Sequence, residues 1–243
     1  MKTSKKILGL SIIAMLGASS FNAAQAADLK ARAGVGTAFY ELETPQIYGV
    51  IEAVNTSLTV GLTAGFGEFY VDGKFDTTIA GAHNTFVVDE DFQRDEITIT
   101  AGYSVSESMT IFGGYKSTET SLMAPPGFGW SEDNFQAKGL FAGAAAGFPM
   151  GNDASLSANV AVALLTGDYT DSTFLATTGD TVGVSVGLTY NRYLSDTTGI
   201  AITGSYQGYA YDMGPDTLGV PEMTDQVMVE NYLNLGISYF MGF

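Results

Sequence analysis

The sequence lacks cysteine, has a single histidine and has few basic residues. The absence of cysteine in 243 residues excludes disulfides, thiolate metal sites and a cysteine nucleophile. Ten Lys and Arg stand against 26 Asp and Glu, for a formal net charge of -16. This charge argues against nucleic-acid binding, because such binding takes much of its affinity from basic side chains on phosphates. Yet 46% of the residues are hydrophobic, which excludes a disordered acidic tail.

The first 26 residues have the pattern of a secretory signal peptide. Three lysines precede an apolar run from Ile7 to Leu16, and the segment ends in Ala24-Gln25-Ala26. A basic start, about ten apolar residues and an A-x-A site are typical of such a peptide. The run is too short for a bilayer-spanning helix, which needs about 20 residues. We expect cleavage after Ala26, which leaves residues 27–243 as one domain.

The rest of the chain contains no run approaching 18 apolar residues, so we expect no transmembrane helix. Instead, segments of about ten residues alternate apolar with small or polar side chains, the period of a strand with two different faces. The clearest is the last, Val227–Phe243. The pattern predicts ten strands, at 29–40, 47–54, 58–66, 97–104, 109–116, 139–148, 156–164, 182–191, 200–211 and 227–243.

The predicted connections alternate in length. Short turns are predicted at 55–56, 106–108, 149–153 and 195–198, and longer links at 41–46, 67–95, 117–134, 166–180 and 213–226. Both chain ends then lie on the short-turn side, which is the layout of an outer-membrane barrel. We therefore predict an all-β fold, a transmembrane antiparallel up-and-down β-barrel of ten strands. The alternatives are eight strands, if residues 29–54 do not insert, and a soluble β-sandwich.

Outward-facing aromatic residues favour the barrel over the sandwich, because they separate into two groups by depth. Near the predicted short turns lie Tyr103, Phe148, Tyr190, Tyr239 and Phe243, and toward the longer links lie Phe39, Phe66, Tyr115 and Tyr206. The outward positions between them are mostly Leu, Ile, Val and Ala. A bilayer selects such an aliphatic band between two aromatic girdles. A closed barrel also leaves no edge amides unsatisfied in lipid.

The last strand ends in Phe243, preceded at alternating positions by Met241, Tyr239 and Ile237. In this pattern and in its architecture, the chain resembles the small outer-membrane β-barrel proteins of Gram-negative bacteria. In those proteins, a C-terminal strand of this kind is the signal presented to the barrel assembly machinery. The resemblance implies export to the periplasm, insertion by that machinery and contact with outer-membrane lipid and lipopolysaccharide. It implies no particular activity and no subfamily.

Candidate catalytic groups are few. The only imidazole is that of His83, in the same predicted loop as the acidic run Asp89-Glu90-Asp91. The omptin-type proteases, which resemble this chain in having ten strands, use pairs of Asp and an Asp–His pair, but nothing in the sequence singles out such a set. No D-x-D-x-D-G spacing predicts a calcium site. We therefore expect no catalytic, cofactor-binding or metal-binding residues.

Charged residues in the lumen phase are expected to pair, because an ion pair is the cheapest arrangement for charges inside a barrel. We predict that Lys30 and Arg32 pair with Glu52. Lys74, Arg94 and Lys138 are expected near the outer rim, either as contacts to lipid phosphates or simply as solvated charges. Many lumen positions are Gly, Ala, Ser or Thr. These leave either a water-filled path or room for the rings of Tyr40, Tyr48, Phe112, Phe141, Tyr209 and Tyr232 to fill the centre.

Three functions follow, in order of preference. The first is a non-catalytic surface barrel, structural or adhesive, that presents acidic and Pro/Gly-rich loops such as the one containing Met123–Trp130. The second is a narrow pore for small solutes, in which an acidic vestibule favours cations. The third is a surface hydrolase that uses His83.

Overall fold

The computed structural model describes residues 28–44, 49–85, 88–123, 132–170, 176–214 and 226–243. They form ten strands: β1 (Asp28–Thr44), β2 (Gly49–Phe66), β3 (Phe69–Thr85), β4 (Val88–Ser104), β5 (Met109–Met123), β6 (Glu132–Pro149), β7 (Ala154–Thr170), β8 (Ala176–Tyr193), β9 (Thr198–Met213) and β10 (Gln226–Gly242). Each strand pairs antiparallel with its neighbours in sequence, and β1 pairs with β10 to close a barrel. The predicted ten-stranded up-and-down barrel is confirmed. No helix among these residues is long and apolar enough to cross a membrane.

The barrel has two distinct ends. At the turn end, short connections at 67–68, 105–108, 150–153 and 194–197 join the strands. Residue 28, where β1 begins, and residue 243 also lie there, and the amide of Phe243 donates to the carbonyl of Leu29. The connections at the opposite, loop end lie outside the described residues, and so do the predicted signal peptide, Tyr48 and most of the segment Met123–Trp130.

The sequence prediction for residues 47–95 is wrong in detail. β2 runs without a break through the predicted turn at Asn55-Thr56, and the predicted loop 67–95 contains β3 and the first part of β4. The charged residues Asp72, Lys74 and Asp76 led to the prediction of a polar loop. They occupy every second position of β3 and face the lumen. The count of ten was still right, because splitting β2 added one strand and missing β3 removed one.

Several strands change character along their length, and β7 is the clearest case. Toward the turn end its outward residues are apolar: Leu156, Ala158, Val160, Val162 and Leu164, the last three about half exposed at 53%, 48% and 60%. Toward the loop end its outward residues are Thr166, Asp168 and Thr170, whereas its inward residues Ala163, Leu165 and Tyr169 are buried and apolar. The apolar face therefore moves from the outside of the barrel to the inside.

This inversion fits a barrel that stands partly outside the lipid. A strand of 17 residues, at about 3.3 Å per residue and tilted by about 40°, rises about 43 Å along the barrel axis. The apolar band of a membrane barrel is only about 25 Å tall. About 18 Å of the barrel at the loop end therefore faces water on the outside, and apolar side chains are buried there only by turning inward.

Candidate functional site in the barrel lumen

Most of the basic side chains point into the lumen. Residues 27–243 contain seven Lys and Arg. Five of them have lumen-facing side chains: Lys30, Arg32, Lys74, Arg94 and Lys116. The structure therefore places Lys74 and Arg94 inside the barrel and not at a lipid-phosphate rim. Only Lys138 and Arg192 are on the outside, where they pair with Asp168 at 3.6 Å and Asp153 at 2.8 Å.

Near the turn end, Arg32 of β1 binds Asp72 of β3. Arg32 Nη1 and Nη2 donate to the two carboxylate oxygens of Asp72 at 2.6 and 2.8 Å, and Thr63 Oγ1 donates to Asp72 at 2.6 Å. The structure does not bring Glu52 to Arg32. Glu52 lies opposite Glu41 toward the loop end and is exposed on the outer face, whereas Arg32 lies opposite Gly61. Splitting β2 in the sequence prediction reversed the direction assigned to the segment that carries Glu52.

In the middle of the lumen, a chain of ion pairs joins β3, β4 and β5. Lys74 Nζ lies 2.7 Å from Asp76 and 3.3 Å from Glu96, and Lys116 Nζ lies 3.1 Å from the second oxygen of Glu96. Lys116 also donates to Gln207 of β9, on the other side of the lumen. The charges are thus neutralised by partners on several strands and hold the wall of the barrel together.

Toward the loop end, Arg94 of β4 and Glu230 of β10 form a buried ion pair. Arg94 Nη1 donates to Glu230 at 2.6 Å and to Thr120 at 2.7 Å, and Tyr211 Oη donates to the other oxygen of Glu230 at 3.1 Å. The guanidinium carbon lies 5.3 Å from the ring centroid of Tyr40 and 4.8 Å from that of Tyr232. These aromatic faces offer the buried cation a cation–π interaction in place of water.

Apolar and aromatic side chains surround this ion pair and fill the outer half of the lumen. We call this set the plug; its sixteen residues are Ala38, Tyr40, Leu42, Ile51, Ala53, Phe92, Phe135, Ala137, Ala163, Leu165, Tyr169, Tyr209, Tyr211, Met213, Met228 and Tyr232. All of them are at most 5% exposed. Glycines make room for the rings, since a Cβ on Gly167 would lie 2.7 Å from Cδ1 of Tyr211 and one on Gly183 would overlap Tyr209. Of the aromatic residues expected in the centre, Tyr40, Tyr209 and Tyr232 are in the plug.

Below the plug, the lumen is hollow. Two cavities of about 520 and 430 Å³ share wall residues, among them Arg32, Lys74 and Asn159. We call the two together the chamber. Phe112 and Phe141, also expected in the centre, line it instead and pack edge to face with centroids 6.2 Å apart. Small lumen residues therefore do both things that the sequence left open: they leave space near the turn end and admit rings near the loop end.

The outer face of the loop-end half carries many carboxylates. We call this belt the acidic collar; it consists of Glu41, Glu43, Glu52, Asp95, Glu119, Asp168, Asp180 and Asp212. Three pairs are directly opposite on adjacent strands: Glu41 with Glu52, Asp95 with Glu119, and Asp180 with Asp212. Like charges in this arrangement destabilise a sheet, so repulsion within the acidic collar lowers the stability of the barrel.

The remaining residues singled out by the sequence lie on the outer face or at the turn end. Phe39, Tyr115, Phe148 and Tyr206 are outward and 40–52% exposed. Tyr103 and Tyr190 are outward and half-buried. Phe66 ends β2 at the turn end, and not near the loops as predicted. Ile237, Tyr239 and Met241 face outward at the end of β10, and Phe243 follows the strand; the four are 39–71% exposed.

Lys30 lies at the mouth of the chamber, with its ammonium 4.7 Å from the ring centroid of Phe240. His83 is in β3, opposite Glu90 of β4, in place of the loop that was predicted; its side chain lies outside the described part of the structure. Within the described ranges, no group of three or more His, Asp or Glu side chains has an arrangement that holds a metal ion.

Sequence reasoning missed the residues that organise the lumen: Asp72, Asp76, Glu96, Lys116 and Glu230. A usable signal was present, because Asp72, Lys74 and Asp76 alternate with Val71, Gly73 and Phe75. Charges at period two mark a strand that lines a polar interior.

No protein-family model and no curated protein matches the sequence. Among solved structures, the chain is similar to the outer membrane protease OmpT from Escherichia coli, with a TM-score of 0.59 and 10% identity over 92% of this chain and 98% of that one. It is also similar to the transport unit of the autotransporter AIDA-I from Escherichia coli, with a TM-score of 0.50 and 9% identity over 98% and 97%. Identities this low carry the fold and no activity. The chain thus has the fold of the outer-membrane β-barrel proteins.

Proposed function

We propose that this protein is an integral outer-membrane β-barrel with a non-conducting lumen and no catalytic activity, which acts through the surface at its loop end. The plug is the observation that carries this proposal. Its sixteen side chains are at most 5% exposed and come from both sides of the lumen, with the Arg94–Glu230 pair among them. A barrel filled by buried rings has no water path for solutes at that level, which disfavours the narrow-pore alternative.

The orientation is part of the proposal. After cleavage of the signal peptide, the turn end faces the periplasm and the loop end faces the exterior, with the acidic collar above the lipid. The aliphatic band on the outer face supports this placement, because lipid is the solvent that such a surface requires. Outer-membrane lipid and lipopolysaccharide are then direct neighbours, and the assembly machinery is the partner for the strand that ends at Phe243.

A hydrolase using His83 is the weakest alternative. OmpT is a protease, but a likeness at 10% identity transfers no catalytic residue. His83 and Glu90 are opposite in the strand register, but register alone does not make a hydrolytic site, which also needs a nucleophile and groups that stabilise the developing charge.

Planar-bilayer recording of the refolded protein tests the closed lumen. We expect the unmodified protein to give no stepwise conductance. A variant with Phe135→Ala and Tyr211→Ala, whose rings pack edge to face 5.2 Å apart in the plug, serves as the positive control and should conduct. A boiled-versus-unboiled mobility shift on a detergent gel establishes that both proteins are folded. Stepwise conductance by the unmodified protein would overturn the proposal.

A further inference from the structure

The chamber has the dimensions and the access of a ligand site. Its two parts measure about 520 and 430 Å³, within the range of about 300–1,000 Å³ that is usual for small-molecule pockets. On β7 the lumen-facing residues Ser155, Ser157 and Asn159 are half-buried, whereas Ala161 and Ala163 above them are buried. On β9 the same change occurs between Gln207 and Tyr209. The chamber is therefore reached from the turn end and closed above by the plug.

The chamber is more basic than the rest of the protein. Four basic residues line it, Lys30, Arg32, Lys74 and Lys116, against three acidic ones, Asp72, Asp76 and Glu96, for a net charge of +1. The whole chain has a net charge of -16. A net positive charge in a cleft with low-dielectric walls raises the local concentration of anions. The chamber therefore favours anions.

Lys30 is the basic residue most available to a ligand. It is exposed, and no carboxylate in the described ranges lies within ion-pair distance of its ammonium. Arg32, Lys74 and Lys116 are each held by carboxylates, so they form a fixed wall of paired charges beside it, and Lys30 supplies the unpaired positive charge. Fixed charges bind with less loss of side-chain entropy than mobile ones.

The opposite wall supplies neutral hydrogen-bonding groups. Strands β7, β8 and β9 contribute Ser157, Asn159, Ser185, Thr189, Thr203 and Ser205 to it. These side chains are small, which keeps the space open, and their hydroxyl and amide groups both donate and accept. A ligand with hydroxyl groups as well as a negative charge would satisfy both walls.

From this geometry we infer that the chamber is a binding site for a small polar organic anion, carrying carboxylate or phosphate groups, that enters from the turn end. Lys30 attracts the anion at the mouth, and the hydroxyl wall orients it. This function is independent of whether the loop end acts as an interaction surface.

Isothermal titration calorimetry on the refolded full chain in neutral detergent tests the site. Glucose 6-phosphate and citrate are the anionic probes, glucose is the neutral match of the first, and putrescine is a cation of similar size. We expect saturable binding of at least one anion, and weaker or no binding of glucose and putrescine. Lys30→Glu should weaken anion binding by about tenfold or more, since it reverses the charge at the mouth. Lys138→Glu, on the outer face, is the matched control and should leave it unchanged.

A second variant tests the location without changing charge. Ser185→Phe fills the chamber from the hydroxyl wall and should abolish anion binding, while the mobility shift on boiling shows that the barrel still folds. The inference is overturned if neither anion binds saturably. It is equally overturned if putrescine binds as tightly as the anions, or if folded Lys30→Glu and Ser185→Phe both retain the affinity of the unmodified protein.

Discussion

Replacing Glu230 by Gln tests whether the plug depends on a buried ion pair. The two side chains are 2% and 1% exposed, and Arg94 Nη1 lies 2.6 Å from Glu230 Oε1. Glu96, another lumen carboxylate on β4, is bound to Lys74 and Lys116. Removing one partner of a buried pair leaves an uncompensated charge and costs about 3–5 kcal/mol. Because the amide oxygen of Gln still accepts a hydrogen bond from Arg94 or Tyr211, we expect a loss near the lower limit, about 3 kcal/mol.

Urea unfolding of the barrel in phospholipid vesicles, followed by far-UV circular dichroism, measures this loss. Glu119→Gln is the matched control, since Glu119 is an exposed member of the acidic collar directly opposite Asp95. We expect that change to lie within about 0.5 kcal/mol of the unmodified protein, as surface substitutions usually do. Its expected sign is stabilising, because it removes a like-charge contact.

A double variant completes the test. Arg94→Met with Glu230→Leu replaces the whole pair by apolar side chains of similar volume, and such replacements are often neutral or stabilising. We therefore expect the double variant to recover most of the stability lost in Glu230→Gln. A loss below about 1 kcal/mol in the single variant would refute the reasoning, because a charge buried this deeply without its partner should cost more than that. A double variant as unstable as the sum of its parts would refute it too.

Three further predictions concern packing, lipid and assembly. Gly167→Ala should lower the free energy of unfolding in vesicles by about 1–3 kcal/mol, because the new Cβ would meet Tyr211, whereas Gly147→Ala, with open space around it, should not. On β8, Leu188→Arg should cost about 2–4 kcal/mol in the same assay, but Thr178→Arg, outward beside Asp168 near the loop end, should cost little; equal losses would contradict the inverted faces. Phe243→Ala should reduce the amount of folded barrel in cells while in-vitro refolding stays unchanged. A parallel loss in both would show that Phe243 contributes to the stability of the barrel and not to its recognition by the assembly machinery.

The strand count and the closed architecture were predictable because lipid imposes a strong pattern. Between the girdles, outward residues must be apolar, and strands such as 182–191 then alternate plainly. Strand lengths were not predictable in the same way. At the loop end, the alternation continues with its phase inverted, so that Tyr209, Tyr211 and Met213 face inward after Ile200 and Ile202 have faced outward. A prediction that requires the apolar residues to stay on one face of the strand therefore ends the strand too early, at the position where they change to the other face.

The lumen site was harder to predict for a different reason. Arg94 and Glu230 are 136 positions apart and meet only because the barrel closes between β1 and β10. The predicted pairing of Glu52 with Arg32 joined two groups of opposite charge, but it was based on the wrong register. One misplaced turn reverses the direction assigned to a strand and so exchanges its two ends. Charge pairing inside a barrel depends on register, and register depends on every turn before it.

The inversion along strands such as β7 and β9 also affects how freely the sequence can vary. Lipid chains are fluid and fit any apolar outline, so positions such as Val160 and Val162 need only remain hydrophobic. The inward positions of the plug contact one another in a close-packed interior, in which shape and volume matter as well as hydrophobicity. Two positions three residues apart on one strand, such as Val162 and Leu165, are thus subject to different rules of substitution. Within one barrel, lipid-facing positions should therefore tolerate many different apolar residues, whereas the positions of the plug should tolerate few.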